Sequence, residues 1–261
     1  MATVKLNYRE FPCADPRGLP IIILHGLFGS RNNWVTTARQ LARRHSIYSL
    51  DLRNHGKSPH HEKMSLRNMA EDVLQFLDDN AIAKCIMIGH SMGGKAAIQL
   101  ALDHPTRIEK LVVADIVPRL YAPRHDDVFE AIDIINNTKI INRNNADKMI
   151  EHILPNPAVR LFLLTNLMRD SQGQLIWRIN MKAIRDNYAA ISAAPQTDIN
   201  ATFNAPTLFI GGTQSPYITA DDEPIIKRFF PQAKIKMLDA GHWIHIDQPH
   251  AFLDLVDSFI N

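Results

Sequence analysis

At 261 residues the chain can bury one large core, or a core with an inserted subdomain, and its composition, 46% hydrophobic and 21% charged, is that of an ordinary globular protein. Lys and Arg number 29 against 27 Asp and Glu, a formal charge of +2 that excludes the strong basic bias of a nucleic-acid or membrane-surface binder. No apolar run nears a bilayer span, the N-terminus lacks a secretory apolar block, and two cysteines are too few for a disulfide framework, so a reducing cytoplasm is the expected location.

Leu19 to Leu24 reads as a strand that ends in the glycine-punctuated loop His25-Gly26-Leu27-Phe28-Gly29-Ser30. A helix from about Trp34 to Arg44 precedes a second strand, Ser46 to Leu52, and the polar turn Arg53-Asn54-His55-Gly56-Lys57-Ser58-Pro59. Ser65 can cap a helix whose apolar face is Leu66, Met69, Ala70, Val73, Leu74 and Leu77. Lys84 to Ile88 reads as a buried strand, Gly94 to Leu102 as a helix stopped by His104-Pro105, and Leu111 to Asp115 as a strand with a carboxylate at its end. This alternation predicts a mostly parallel sheet with helices on both faces, whose chemistry sits at the carboxyl ends of the strands.

From Pro118 to Pro195 no strand pattern stands out. Helical periodicity over Asp127 to Asn136 and Ala146 to Leu154, and an apolar stretch from Arg160 to Met168, read as a helical cap (118–195) inserted into a core of 1–117 and 196–261. The core resumes with strands at Thr207 to Ile210 and Lys234 to Leu238, a helix near Asp222 to Phe230 between them, and an amphipathic helix from about Pro249 to Ile260.

Gly89-His90-Ser91-Met92-Gly93 falls between a strand and a helix. A serine there is forced into a strained turn, and glycines two positions to either side let strand and helix close without side-chain collisions, as in a nucleophile elbow. A serine hydroxyl needs a base, and His242, on a short glycine-containing loop after the last strand, is favoured over the neighbouring His245 and His250. The oxyanion formed on attack needs two amides, expected from Met92 and Leu27. His25 and His55 read as loop-ordering groups, and His90 as pointing away from the hydroxyl. Phe28, Met92, Tyr188, Tyr217 and Trp243 are candidates for an apolar pocket. A metal site at His242-x-x-His245 lacks a completing carboxylate or cysteine cluster.

These segments resemble the α/β-hydrolase superfamily, and more narrowly the small bacterial YbfF-type esterases. The matching pieces are His25 to Ser30, Asp51 to Ser58, Gly89 to Gly94, Gly212-Thr213-Gln214-Ser215-Pro216-Tyr217 and Gly241-His242-Trp243. Most relatives carry the acid of the triad after the strand equivalent to Thr207–Ile210, but this chain has none in Gly212 to Pro216, and Asp221 and Asp222 fit the start of a helix. The resemblance to the subfamily implies that the acid is Asp115, with Ser215 as an auxiliary group near His242.

The expected activity is cleavage of small to medium carboxylic esters through an acyl-enzyme, without metal or organic cofactor and without nucleic-acid or membrane partners. The same machinery admits acyl-CoA thioesters, with Arg119, Arg124 or Arg143 receiving the phosphates. A perhydrolase, a carbon–carbon bond hydrolase and a ligand-binding receptor on a hydrolase scaffold are lower-ranked alternatives.

Overall fold

The computed structural model describes residues 2–16, 18–138 and 140–261. In chain order the core comprises β1 (Tyr8–Phe11), β2 (Ile21–Leu24), α1 (Val35–Leu41), β3 (Ile47–Leu50), α2 (Leu66–Asp79), β4 (Cys85–His90), α3 (Met92–Asp103) and β5 (Ile108–Ala114). An inserted segment follows with α4 (Asp126–Asn136), α5 (Arg143–Ile150), α6 (Pro157–Leu164), β6 (Leu167–Arg169), β7 (Leu175–Trp177), α7 (Met181–Asp186) and α8 (Tyr188–Ser192). The core closes with β8 (Thr207–Gly212), α9 (Glu223–Phe229), β9 (Ala233–Leu238), α10 (Ile244–Asp247) and α11 (Pro249–Ile260).

The main sheet has seven strands in the order β1-β3-β2-β4-β5-β8-β9, and only the β1–β3 pair is antiparallel. Its central strands are buried on both faces, which is why they read as unbroken apolar runs. Along β2 the side chains alternate between two cores: Ile22 and Leu24 pack on the face covered by α2 and α3, whereas Ile21 and Ile23 pack with Trp34, Ala38 and Phe252 from α11. Each such buried side chain contributes about 1.5–3 kcal/mol of transfer free energy. Ser65 caps α2 by accepting from the Asn68 amide, and Leu66, Met69, Ala70, Val73 and Leu77 are buried as their spacing requires.

Three elements differ from the sequence reading. β1 was not expected: a four-residue edge strand, Tyr-Arg-Glu-Phe, with three of its side chains exposed, carries little hydrophobic signal. The inserted segment is not wholly helical, since Leu167–Arg169 pairs antiparallel with Leu175–Trp177. Asp170 makes that hairpin by accepting from the Gln172 and Gln174 amides, and Gly173 takes φ +80°. The polar turn that looks like a break between helices is therefore a hairpin loop. The apolar stretch from Arg160 to Met168 accordingly divides, with α6 ending at Leu164 and β6 taking the rest.

The insert is held against the core loops by asparagines. Asn166 Nδ2 donates to Phe28 O at 2.8 Å, the Asn180 amide to Asn54 O at 3.0 Å, and Asn187 Nδ2 to Glu62 O at 2.8 Å. Below it, the loop after β3 is anchored by a fully buried pair in which the Arg53 guanidinium grips both oxygens of Asp72.

Candidate active site

Ser91 stands between β4 and α3 at φ 52°, ψ −119°, a backbone conformation that costs a non-glycine residue about 1–3 kcal/mol. The surroundings enforce it. The Ser91 amide donates to Ala114 O on the neighbouring strand at 3.0 Å. A Cβ at Gly89 would lie 2.5 Å from Gly93 O, and one at Gly93 would lie 2.5 Å from His25 O, so neither position tolerates a side chain. The hydroxyl is thereby presented above the end of the sheet, at the N-terminus of α3.

Asp115, fully buried, follows β5 at φ 50°. Its carboxylate is held from three segments: Oδ1 accepts from the Gly212 amide at 3.0 Å, and Oδ2 accepts both from His242 Nδ1 at 2.7 Å and from the Ser215 hydroxyl. With Nδ1 protonated, the neutral imidazole leaves Nε2 as acceptor, and Nε2 lies 3.0 Å from Ser91 Oγ. Ser215 thus bonds to the carboxylate rather than to the imidazole. Tyr217 stacks on the His242 ring with centroids 4.2 Å apart. Asp222, by contrast, is paired with Arg119 and caps its own turn through Thr219, away from this chain of bonds.

Other histidines build the frame. His25 accepts from the Leu52 amide through Nε2 and donates from Nδ1 to Gly26 O; His55 accepts from the Phe28 amide through Nε2 and donates to Arg53 O. Burial pushes their pKa values down to about 4 and about 3, so both rings are neutral. His90 turns away from the hydroxyl, and its Nε2 donates to the backbone carbonyl of His242 at 2.9 Å, which pins the loop that carries that ring. Burial, reinforced by His242, holds His90 well below the ordinary histidine range. His245 stacks on Trp34 at 4.2 Å, and its buried Nδ1 has no partner among the described residues; burial lowers it to about 3.

The Phe28 amide is engaged by His55, and Leu27 lines the same cavities as Ser91. Among the described residues neither the Leu27 nor the Met92 N–H donates to a protein acceptor. Two cavities meet at this point. The larger of the two, of about 80 Å³, is lined by Phe28, Trp34, Phe162, His242 and Trp243; the smaller, of about 40 Å³, by Met92, Lys95, Tyr121, Arg124, Tyr188 and Tyr217. Ser91, Leu27 and His125 border both.

The fold therefore brings together Ser91, His242, Asp115 and Ser215, and distributes the expected pocket residues between two chambers: Phe28 and Trp243 in one, Met92, Tyr188 and Tyr217 in the other. Of the three arginines considered for phosphates, Arg119 is tied to Asp222 and Arg143 to the Leu167 carbonyl; only Arg124 lines a cavity. Trp34, Tyr121, Phe162, His125 and Lys95 are lining residues that the sequence reading did not single out. His125 bonds to the Tyr188 hydroxyl and divides the chambers, with nothing in the sequence to mark it. Lys95 could have been found, because it is the one cation in an otherwise uncharged stretch from Gly94 to Leu102. Among the described residues no group of three His, Cys, Asp or Glu side chains is placed to hold a metal ion, and no helix is long and apolar enough to cross a membrane.

A strained serine over the carboxyl end of a parallel sheet, bonded to a histidine and through it to a buried aspartate, defines an α/β hydrolase. The chain belongs to the α/β-hydrolase fold family, which it matches over residues 20–249. It is 36% identical to Esterase YbfF of Escherichia coli over 99% of its own length and all of that protein's, and 40% identical to the zebrafish (Danio rerio) sn-1-specific diacylglycerol lipase ABHD11, over 98% of this chain and 83% of the relative. Among solved structures, a marine microorganism esterase superposes with a TM-score of 0.93 at 36% identity, covering 98% of this chain and all of that one. The protein is a hydrolytic enzyme of the esterase type.

Proposed function

We propose that the protein hydrolyses carboxylic esters of small to medium acyl groups through an acyl-enzyme. Ser91 Oγ attacks the ester carbonyl while His242 Nε2 takes its proton, and Asp115 holds Nδ1–H and stabilises the imidazolium. The Leu27 and Met92 amides receive the oxyanion. His242 then protonates the departing alcohol, and a water molecule repeats the sequence on the acyl-enzyme. The observation that carries this reading is the continuous Asp115–His242–Ser91 chain, at 2.7 and 3.0 Å, opening onto two cavities.

The two cavities support a placement for each half of the substrate. The alcohol must leave beside His242, which borders the larger chamber and not the smaller. The carbonyl carbon's other substituent is placed in the smaller chamber, which Met92, one of the two proposed oxyanion residues, borders. Volumes of about 80 and 40 Å³ favour short acyl chains. In this proposal residues 118–195 act as a cap over the core, and the unpaired Cys13 and Cys85 agree with a reducing, cytoplasmic setting. A fluorophosphonate probe should label the wild type but not Ser91→Ala, and that variant should lose ester turnover by about 10⁴-fold or more while folding normally. Absence of labelling in the wild type would leave a ligand-binding receptor as the better reading.

A further inference from the structure

The smaller cavity contains an amine that ester hydrolysis does not use. Lys95 lies one helical turn beyond Ser91, its amide donating to Ser91 O at 2.9 Å, and its side chain is buried at 4% exposure. Nζ donates to Arg119 O at 2.7 Å and sits 4.8 Å from the centre of the Tyr121 ring. An ammonium has three N–H groups, and among the described residues no carboxylate pairs with this one. The charge that acts on it is the like-signed Arg119, itself paired with Asp222. At the rim of the same cavity Arg124 is exposed, over Tyr217 at 5.8 Å, and has no ion-pair partner among the described residues. No Asp or Glu lines the chamber.

A purely structural lysine in this position would be a costly way to satisfy one carbonyl, because burial works against its charge and lowers its pKa to about 7. A ligand carboxylate arriving in the chamber would supply the missing counter-ion, and the rim arginine would attract it. Resting on the acyl placement above, we propose that the smaller cavity accepts an acyl chain ending in a carboxylate, so that the preferred substrates are half-esters of short dicarboxylic acids, recognised by Lys95.

The test is proton-release kinetics of the full chain on monoethyl succinate, glutarate and adipate, each against the uncharged ethyl ester of the same acyl length. The wild type should prefer at least one half-ester, and in Lys95→Met the ratio of kcat/KM for that half-ester to its neutral counterpart should fall by about ten- to a hundredfold. Lys95→Arg should retain part of the preference. An unchanged ratio in a folded Lys95→Met overturns the proposal. Should that variant not fold, the wild type decides alone: faster turnover of the neutral ester at every length refutes it. Absence of all Ser91-dependent ester turnover would instead defeat the underlying esterase reading, so the two failures are distinguishable.

Discussion

Buried neutral histidines make acid the natural weak point of this fold, and His245 is a place to measure the effect. Its ring is neutral inside the protein, with a pKa of about 3 against 6.5 in the unfolded chain. Below pH 6.5 the unfolded chain binds a proton that the folded one refuses, so this ring's share of stability is fully present above pH 6.5 and is lost as pH falls toward 3. The slope is about 1.4 kcal/mol per pH unit, or about 2 kcal/mol by pH 5. Burial of His25, His55 and His90 acts in the same direction. The buried Nδ1 of His245 has no hydrogen-bond partner among the described residues, so His245→Phe keeps the stack on Trp34 and removes the ring's titration together with its repulsion of His90, 4.9 Å away. Urea unfolding followed by circular dichroism should find the variant within about 1 kcal/mol of wild type at pH 7.5 and more stable by about 2 kcal/mol at pH 5. Parallel stability curves for the two proteins from pH 7.5 to 5 would refute the reasoning.

Three substitutions probe the remaining structure. Asp115→Asn removes the charge that orients His242 and should lower kcat by about 10³- to 10⁴-fold in an ester assay, with the unfolding midpoint little changed. Ser215→Ala deletes one donor to the same carboxylate and should cost only about two- to tenfold, so a loss as large as that of Asp115→Asn would mean that Ser215 acts directly. Arg53→Met strands Asp72 as a buried, unpaired charge and should destabilise the fold by about 3–5 kcal/mol in denaturant titrations, whereas Arg53→Met combined with Asp72→Leu should recover most of that.

The site was legible in the sequence because it is built from local punctuation. Gly89 and Gly93 announce the bend at Ser91, and the glycine loops at Gly26 and Gly241 announce the ends of their strands. The empty loop from Gly212 to Pro216 directs attention to Asp115, whose position at a strand end is readable, although its bonds to Gly212 and Ser215 are not. What escaped depends on contacts between distant segments. β1 is defined by pairing with β3 and not by its own pattern. The β6–β7 hairpin rests on three-residue strands too short to show a period. His125 borders both cavities only because the insert folds back over Leu27 and Phe28.

The carboxylate's home on β5 has a mechanical corollary. The hydroxyl and the acid project from adjacent central strands, joined by a parallel ladder and spaced by about 4.8 Å, so their relative placement inherits the stiffness of the middle of the sheet. Only the imidazole arrives on a loop, and that loop is tethered to the elbow by the His90 ring. Warming or mild denaturant should therefore uncouple the proton acceptor from a still rigid serine–aspartate pair, and catalytic competence should fade before the sheet melts.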